Sequence, residues 1–398
     1  MHSGCRASGL VALLLAVLWV PVSYAEDWDA VVAEAAGQTV YFNAWGGDLA
    51  INRYIEWTAE QVRAKYAVEL RHVRVTDIAE SVTRIMAERS AGRNDGGSVD
   101  LLWINGENFA ALKRAGLLYG PWATQVPSAA VINWQNNPTT LTDGSLATDG
   151  FELPWGTAAL TFFFDRERVN ALPRTPAALL AWIERHPGRF SYPQPPSFIG
   201  SAFLKQMLLA LSDNPDRFSA PVGNDFDEQT APLWQWLDRA HASMWRSGRL
   251  FPQSGPAQRD LLAVGELDWM LSYNPAEASR AIRQGELHAG IGALYLDAGA
   301  LANSHFLAIP YNSGATAGAR VVANFLASAA AQARKADERH WGDPTILNLN
   351  ALPAAERAFF ERLETGPATP PAAGRYLLEP HPEWATRIEQ AWLERYVR

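Results

Sequence analysis

The chain has little cysteine and, after its first residues, no long apolar run. Its 398 residues include one cysteine, Cys5, which lies before the apolar run Leu10 to Val20, whereas a lipid-attachment cysteine would follow such a run. If residues 1–25 are removed, no cysteine remains, which excludes disulfides, thiolate nucleophiles and cysteine-ligated metal sites. No later apolar run reaches the length of a membrane span, so we expect no insertion into a membrane.

Residues 1–25 have the pattern of a cleaved secretory signal peptide. Arg6 supplies a positive start, the apolar run follows, and Ser23-Tyr24-Ala25 places small residues at the positions that a signal peptidase reads. A membrane anchor is disfavoured because the run rises only about 16 Å as a helix, against a hydrocarbon core of about 30 Å. The sequence therefore predicts an exported, soluble protein.

Concentrated positive charge is also absent. The formal net charge is -8, with 19% charged and 48% hydrophobic residues. This composition is that of a globular protein and disfavours disorder and coiled coil. Without a basic surface we expect no nucleic-acid partner.

Familiar catalytic and metal-binding motifs are missing as well. The sequence contains no G-x-S-x-G, H-E-x-x-H, P-loop or G-x-G-x-x-G motif, its eight histidines are scattered, and it has no adjacent tyrosines. We expect no metal, no cofactor and no enzymatic activity. One alternative is an exported hydrolase with a site assembled from dispersed residues such as His305 and Asp297. Another is an accessory subunit that binds a protein rather than a solute.

From Gln38 the chain alternates strand-like and helix-like periods. Thr39 to Ala44, Val68 to Val75 and Val99 to Ile104 read as strands, each followed by an amphipathic helical pattern. This order is typical of an α/β fold with a mostly parallel sheet flanked by helices.

The rest of the chain continues the alternation less regularly. Residues 121–150 are rich in Pro, Thr, Asn and Gly and read as an irregular connection. Thr175 and Ser197 have the pattern of helix N-caps, and a terminal helix is predicted from about Glu383.

Several runs, in their order and spacing, resemble bacterial ABC-transporter solute-binding proteins, most closely the YnjB-type group. They span nearly the whole mature chain. The runs are Tyr41-Phe42-Asn43-Ala44-Trp45-Gly46-Gly47, Val99-Asp100-Leu101-Leu102-Trp103-Ile104-Asn105-Gly106, Glu152-Leu153-Pro154-Trp155-Gly156-Thr157, Phe162 to Asp165, Leu271-Ser272-Tyr273-Asn274-Pro275, Ala308-Ile309-Pro310-Tyr311-Asn312-Ser313 and Val322-Ala323-Asn324-Phe325-Leu326.

The resemblance implies a two-lobed type II periplasmic binding protein, each lobe a mixed sheet flanked by helices. Its two hinge crossings are expected near Glu152 to Gly156 and near Ile309 to Asn312. The expected division is residues 26–152 in lobe 1, 153–308 in lobe 2, and 309–398 returning to lobe 1 and forming the C-terminal helices. It also implies a periplasmic monomer that captures a small solute between its lobes and delivers it to an inner-membrane ABC permease with its ATPase.

Residues that directly follow strands are the ones that face a cleft in open α/β sheets. In this sequence, each turn of this kind combines an aromatic or amide side chain with a glycine or a proline. For any single tryptophan the alternative is a core residue, and for Ser197 it is simple helix capping. The predicted solute-binding residues are Asn43, Trp45, Gly46, Asn105, Glu107, Trp155, Ser197, Ser201, Tyr273, Asn274 and Tyr311.

Acidic residues near these turns favour a cationic or aromatic amine-like organic solute. Asp48, Glu107 and Glu152 can neutralise an ammonium or thiazolium group, and aromatic faces can hold a cation. Asp48 and Glu107 also suit the first turn of a helix, where a carboxylate is an ordinary partner of the helix dipole.

Overall fold

The computed structural model describes Met1, residues 27–371 and residues 375–397. The predicted signal peptide therefore lies outside the described residues, apart from Met1. Among the residues described, no helix is both long and apolar enough to span a membrane. The described residues form two main sheets with separate hydrophobic cores, joined by a pair of long strands, and a two-stranded hairpin.

The predicted alternation of strands and helices builds the first sheet. Strands β1 (Thr39–Trp45), β2 (Glu69–Val75) and β3 (Leu101–Ile104) run parallel, with β1 in the middle. The carboxyl ends of parallel strands meet at one edge of a sheet, so the turns after β1 and β3 lie on the same side. The helices of this part are α1 (Trp28–Ala35), α2 (Leu49–Tyr66), α3 (Ala79–Ser90) and α4 (Gly106–Arg114).

Helix α2 shows how the sequence sets the ends of an element. The Asp48 side chain accepts hydrogen bonds from the backbone N–H groups of Ala50 and Ile51, at 2.7 and 3.2 Å, and so caps the first turn. At the other end Ala67 adopts a left-handed φ of 55°, which closes the helix. The helix covers the first core with an apolar stripe that includes Ile51, Tyr54, Ile55 and Val62.

Two antiparallel strands connect the two sheets. Strands β6 (Glu152–Ala159) and β10 (Ala300–Ala308) pair along most of their length, with a bulge between His305 and Phe306. Strand β10 also pairs with β3 in the first sheet, while β6 leads directly into β7 (Thr161–Asp165) of the second. The first predicted crossing lies within β6.

Strand β10 brings the chain back to the first sheet and ends just before Ile309. The second predicted crossing, which begins at Ile309, therefore follows this strand and does not include it. Its middle carries Asn303, Ser304 and His305, polar residues without a strand-like period, so the sequence pattern does not mark it. The lobe boundaries predicted at residues 152 and 308 remain a prediction.

The second sheet is small and antiparallel. Strand β7 lies between β8 (Trp269–Ser272) and β9 (Ile291–Leu294). The predicted caps are present, because Thr175 and Ser197 accept backbone N–H groups through their side chains. The helices of this part are α5 (Pro176–Arg185), α6 (Phe198–Ala210), α7 (Phe226–Ser243), α8 (Gly255–Ala263) and α9 (Glu277–Arg283).

The predicted irregular connection holds a small hairpin, β4 (Thr142–Asp143) and β5 (Leu146–Ala147). It is the part of the connection that lies closest to the start of α4.

After β10 the chain first covers the first core and then returns to the second. Helices α10 (Thr316–Leu326), α11 (Ala329–Ala336) and α12 (Ala354–Glu361) belong to the first part. Strand β11 (Tyr376–Leu377) then pairs with the beginning of β10. The terminal helix α13 (Pro382–Tyr396) buries its apolar face in the second core, through Trp384, Ile388 and Trp392.

Candidate functional site

The turn after β1 presents an exposed aromatic ring. Trp45 has 44% of its surface exposed, and a side chain added at Gly47 would overlap its indole ring. Asp48, which caps α2, also forms an ion pair with Arg280 of α9, with 3.1 Å between Oδ2 and Nη2. Since α2 covers the first core and α9 packs on the second sheet, this ion pair spans the gap between the two lobes.

The turn after β3 leads to a buried carboxyl group. Asn105 and Glu107 are exposed, and Gly106 between them has a φ of 50°. A side chain on Gly144 would lie 2.9 Å from the Cα atom of Gly106, so the hairpin approaches the start of α4 closely. Asp143 accepts hydrogen bonds from the backbone N–H groups of Gly106 and Gly144.

In the second sheet, the turn after β8 leads to a second carboxylate, that of Glu379. The Tyr273 hydroxyl donates a hydrogen bond to Glu379 Oε1 at 2.7 Å, and Lys205 of α6 binds the other oxygen of Glu379. Ser145 of the hairpin donates to the Glu379 backbone carbonyl at 2.9 Å. Asn274 accepts the N–H of Ala276 at 2.9 Å and so shapes the turn.

These contacts bring three acidic residues together where the lobes meet, and we call Asp143, Glu152 and Glu379 the junction acid group. Asp143 and Glu152 are 4% and 0% exposed. Asp143 Oδ2 and both carboxyl oxygens of Glu152 have no hydrogen-bond partner among the described residues. Buried carboxyl groups without partners destabilise a fold, so this arrangement calls for a functional reason.

The electrostatics of the group are those of a site short of positive charge. Burial raises the pKa of Asp143 to about 7, against the opposing effect of the Gly106 N–H, and Glu379 raises it as well. Burial also raises the pKa of Glu152 well above its usual range, and the nearby Asp143 carboxyl adds to this. A cation placed here would relieve the repulsion between the acids.

Two connected cavities adjoin the junction acid group. The smaller one, which we call the junction pocket, has a volume of about 80 Å³; its polar lining comes from Thr139, Thr142, Asp143, Ser145, Asn303 and Glu379, together with Ser219. The larger one, of about 550 Å³, shares Ser219, Leu378 and Glu379 with it. Asn303 Oδ1, like Asp143 Oδ2, is buried and has no partner among the residues described.

Several predicted site residues lie away from this group. Asn43 is fully buried and donates to Ser81 Oγ at 2.8 Å. The Tyr311 hydroxyl donates to the Arg93 carbonyl at 3.0 Å. Ser201 donates to Glu389 of α13, whereas Ser197 caps α6 and accepts the Gly200 N–H at 3.3 Å. The ligand roles of these residues remain predictions.

Trp155 is fully buried within an aromatic cluster. Its ring lies edge-on to Trp103 and Trp341, with centroids 5.1 and 5.4 Å away, and it stacks on Tyr54 at 6.3 Å. This is the position of a core residue, which is the alternative to solute binding for any single tryptophan. A solute-binding role for Trp155 remains a prediction.

A buried ion network lies against the crossing strands beside this cluster. His305 Nε2 lies 3.0 Å from Asp343 Oδ1, and the Lys335 ammonium binds the other oxygen. Burial lowers the pKa of Lys335. Although burial alone would raise the pKa of Asp343, Lys335 and His305 hold it below its usual value. His305 is thus paired with Asp343 and not with Asp297, and no nucleophile completes a triad with them among the contacts described. Within the described residues no group of three possible metal ligands occurs.

Comparisons with known proteins agree with this architecture. The family model described as bacterial extracellular solute-binding protein matches residues 57–356. The protein YnjB of Escherichia coli K12 is 46% identical over 379 residues, covering 94% of this chain and 95% of that protein. The chain belongs to the bacterial extracellular solute-binding protein family.

Solved structures place this solute-binding protein in the type II fold. A periplasmic thiamin binding protein superposes with a TM-score of 0.58 at 18% identity, covering 90% of this chain and 95% of the other. The spermidine/putrescine ABC transporter substrate-binding protein PotD from Streptococcus pneumoniae has a TM-score of 0.60 at 13% identity, covering 90% and 98%. The predicted two-lobed type II fold is confirmed, and membership of the family confirms the predicted solute-binding role rather than an enzymatic one.

Sequence reasoning found part of the junction acid group of this solute-binding protein. It singled out Glu152 as a possible partner of a cation and Tyr273 as a cleft residue, but it missed Asp143 and Glu379. Both lie in segments without helical or strand period, one in the irregular connection and one just after β11. Their proximity depends on the return of the chain to the second core, which no local pattern indicates.

Proposed function

We propose that this protein captures a small cationic organic solute between its lobes and delivers it to an ABC permease. The observation that carries the proposal is the junction acid group, to which both lobes contribute residues. In it the buried Asp143 Oδ2 and both carboxyl oxygens of Glu152 lack a partner among the described residues. We further propose that the protein is a periplasmic monomer exported by the signal peptide predicted at residues 1–25.

The larger cavity supports this proposal because it has room for the body of an organic solute. Its volume of about 550 Å³ lies in the range of small-molecule sites. Its walls include the apolar side chains of Leu209, Phe218 and Leu378, which can cover carbon atoms, while Glu379 lies where it joins the junction pocket.

One of the two solved structures named above is a thiamin binding protein and the other a spermidine/putrescine substrate-binding protein. Thiamin, spermidine and putrescine all bear positive charge at neutral pH. At 13 to 18% identity the likeness extends to the fold alone. The proposal of a cationic solute therefore depends on the carboxyl groups of this chain and not on its relatives.

A thermal-shift screen of refolded, ligand-stripped protein tests the proposal. The panel contains thiamine, choline, diamines and polyamines, together with neutral sugars, amino acids and oxyanions. A bound solute at 100 times its Kd should add about 2.7 kcal/mol of stability, which is visible as a rise in melting temperature. We expect a response to one class of cation only.

A double variant with Asp143→Asn and Glu379→Gln should lose this response while still melting cooperatively. Asp260→Asn, which changes an exposed carboxylate of α8, should keep it. A response confined to sugars or oxyanions would refute the cationic solute.

A further inference from the structure

The junction pocket offers hydrogen-bond acceptors without matching donors. Asp143 Oδ2 and Asn303 Oδ1 both belong to residues that line it, and neither atom has a partner among the residues described. The backbone N–H groups of Gly106 and Gly144 already donate to the Asp143 carboxyl. Glu379 is a second acidic residue in the lining of the pocket. Such a site is completed by a group that donates several hydrogen bonds and carries positive charge.

The two lysines near the junction acid group do not supply that group. Lys113, the cation that acts on Glu152, donates to Asp149 at 2.7 Å and to a backbone carbonyl of β5. Lys205 binds Glu379 Oε2, whereas Tyr273 donates to Glu379 Oε1. Each of these lysine ammonium groups already has its own partner, and no ion pair of Asp143 occurs among the contacts described.

Hydrogen bonding restricts the group further. The junction pocket, with a volume of about 80 Å³, admits a small head group such as a primary ammonium with its first methylene. A trimethylammonium head has no N–H to donate, so it would leave both acceptors unpaired.

We propose that the junction pocket is a subsite for a primary ammonium group of the solute, with N–H groups donated to Asp143 Oδ2 and Asn303 Oδ1. This inference rests on the proposed function and narrows it. The solute is then a protonated primary amine whose carbon body extends into the larger cavity past Leu378 and Glu379. Quaternary and aromatic cations without a primary amine are excluded from the subsite.

Isothermal titration with matched probes tests the subsite. The probes are 1,4-diaminobutane and its analogue with both nitrogens trimethylated, which keeps the charge and the carbon chain but has no N–H. We expect the diamine to bind at least tenfold more tightly. Asp143→Asn should weaken diamine binding at least tenfold, and Asn303→Ala should weaken it several-fold. Asp260→Asn, at an exposed carboxylate of α8, should change neither Kd, and thermal melts establish that each variant is folded.

The outcomes separate this subsite from the proposed function. Equal affinity for the two probes, or tighter binding of the methylated one, would overturn the primary-ammonium subsite and leave a cation carrier in place. Diamine binding that is unchanged in both Asp143→Asn and Asn303→Ala would also overturn it. If neither probe and no other cation of the screening panel binds, the proposed function and the subsite both fail.

Discussion

At the scale of single residues, Asp143 combines an unfavourable position with a use in binding chemistry. Its carboxyl is buried, has no partner for Oδ2 among the described residues and lies beside two further acids. Cores that evolve for stability alone avoid such groups. Binding proteins retain them because the solute supplies the missing charge.

This position makes the stability of the empty protein depend on pH. The pKa of Asp143 is about 7 when folded and 3.8 in the reference state, so the folded protein holds the proton more tightly. The stabilisation that this bound proton gives the folded state is complete below about pH 4 and is lost as the pH rises through 7. The loss at pH 8 is about 4 kcal/mol.

Asp143→Asn should therefore stabilise the empty protein at pH 8 by up to about 4 kcal/mol and have little effect at pH 4. The amide keeps an oxygen for the Gly106 and Gly144 N–H groups and does not ionise. Urea unfolding at pH 4, 6 and 8 measures the change. Asp260→Asn, at an exposed carboxylate of α8, is the control and should match the wild type at each pH. A variant whose stability falls with pH as steeply as that of the wild type would contradict the assignment to Asp143.

At the scale of elements, the sequence predicts those parts whose signals are local. Strand β1 and helices α5 and α6 follow from apolar period and from the caps Thr175 and Ser197. Strand β10 is not predicted over its full length, because its burial comes from pairing with β6 and β3 on either side and not from its own composition. The candidate site is only partly predicted for the same reason. Asp143 and Glu379 are 236 positions apart in the sequence and come together only in the tertiary structure.

The crossing strands β6 and β10 require a glycine at position 156 of β6. A Cβ atom at Gly156 would overlap Asp343 Oδ2 and lie 2.6 Å from His305 Cδ2 and 3.1 Å from Lys335 Nζ. These atoms belong to the buried ion network, which has no room to move without losing a hydrogen bond.

Gly156→Ala should destabilise the protein by about 1–3 kcal/mol, the usual range for overpacking a core. Gly255→Ala is the matched control. Gly255 begins α8, and an added Cβ atom there would meet only Ile199, at an ordinary 3.5 Å, so this variant should be neutral or slightly stabilising. Urea unfolding measures both. Equal stability of the two variants would show that the crossing strands tolerate a side chain at Gly156.

At the scale of the whole molecule, the described conformation has the lobes in contact. The Asp48–Arg280 ion pair joins them near Trp45, and Arg283 of α9 lies 3.4 Å from Glu338, which follows α11. Both arginines lie on one face of α9, so this helix is one part of the second lobe that contacts the first. A solute favours closure only to the extent that it binds the closed form more tightly than the open one.

Removing the Arg280 side chain should therefore shift the protein toward the open form without changing the junction acid group. The pair is partly exposed, and such pairs are worth about 0.2–1 kcal/mol, so Arg280→Ala should weaken solute binding up to about fivefold. The loss should shrink at high salt, which screens the pair in the wild type. Arg239→Ala is the matched control, since Arg239 pairs with Glu184 between α7 and α5 within one lobe. Titration at low and high salt gives the affinities, and solution scattering of the empty protein gives its size. Both variants lose one arginine and one ion pair. A larger radius of gyration in Arg280→Ala alone would therefore assign closure to the Asp48–Arg280 contact. Identical radii and affinities in the two variants would exclude a role of this contact in closure.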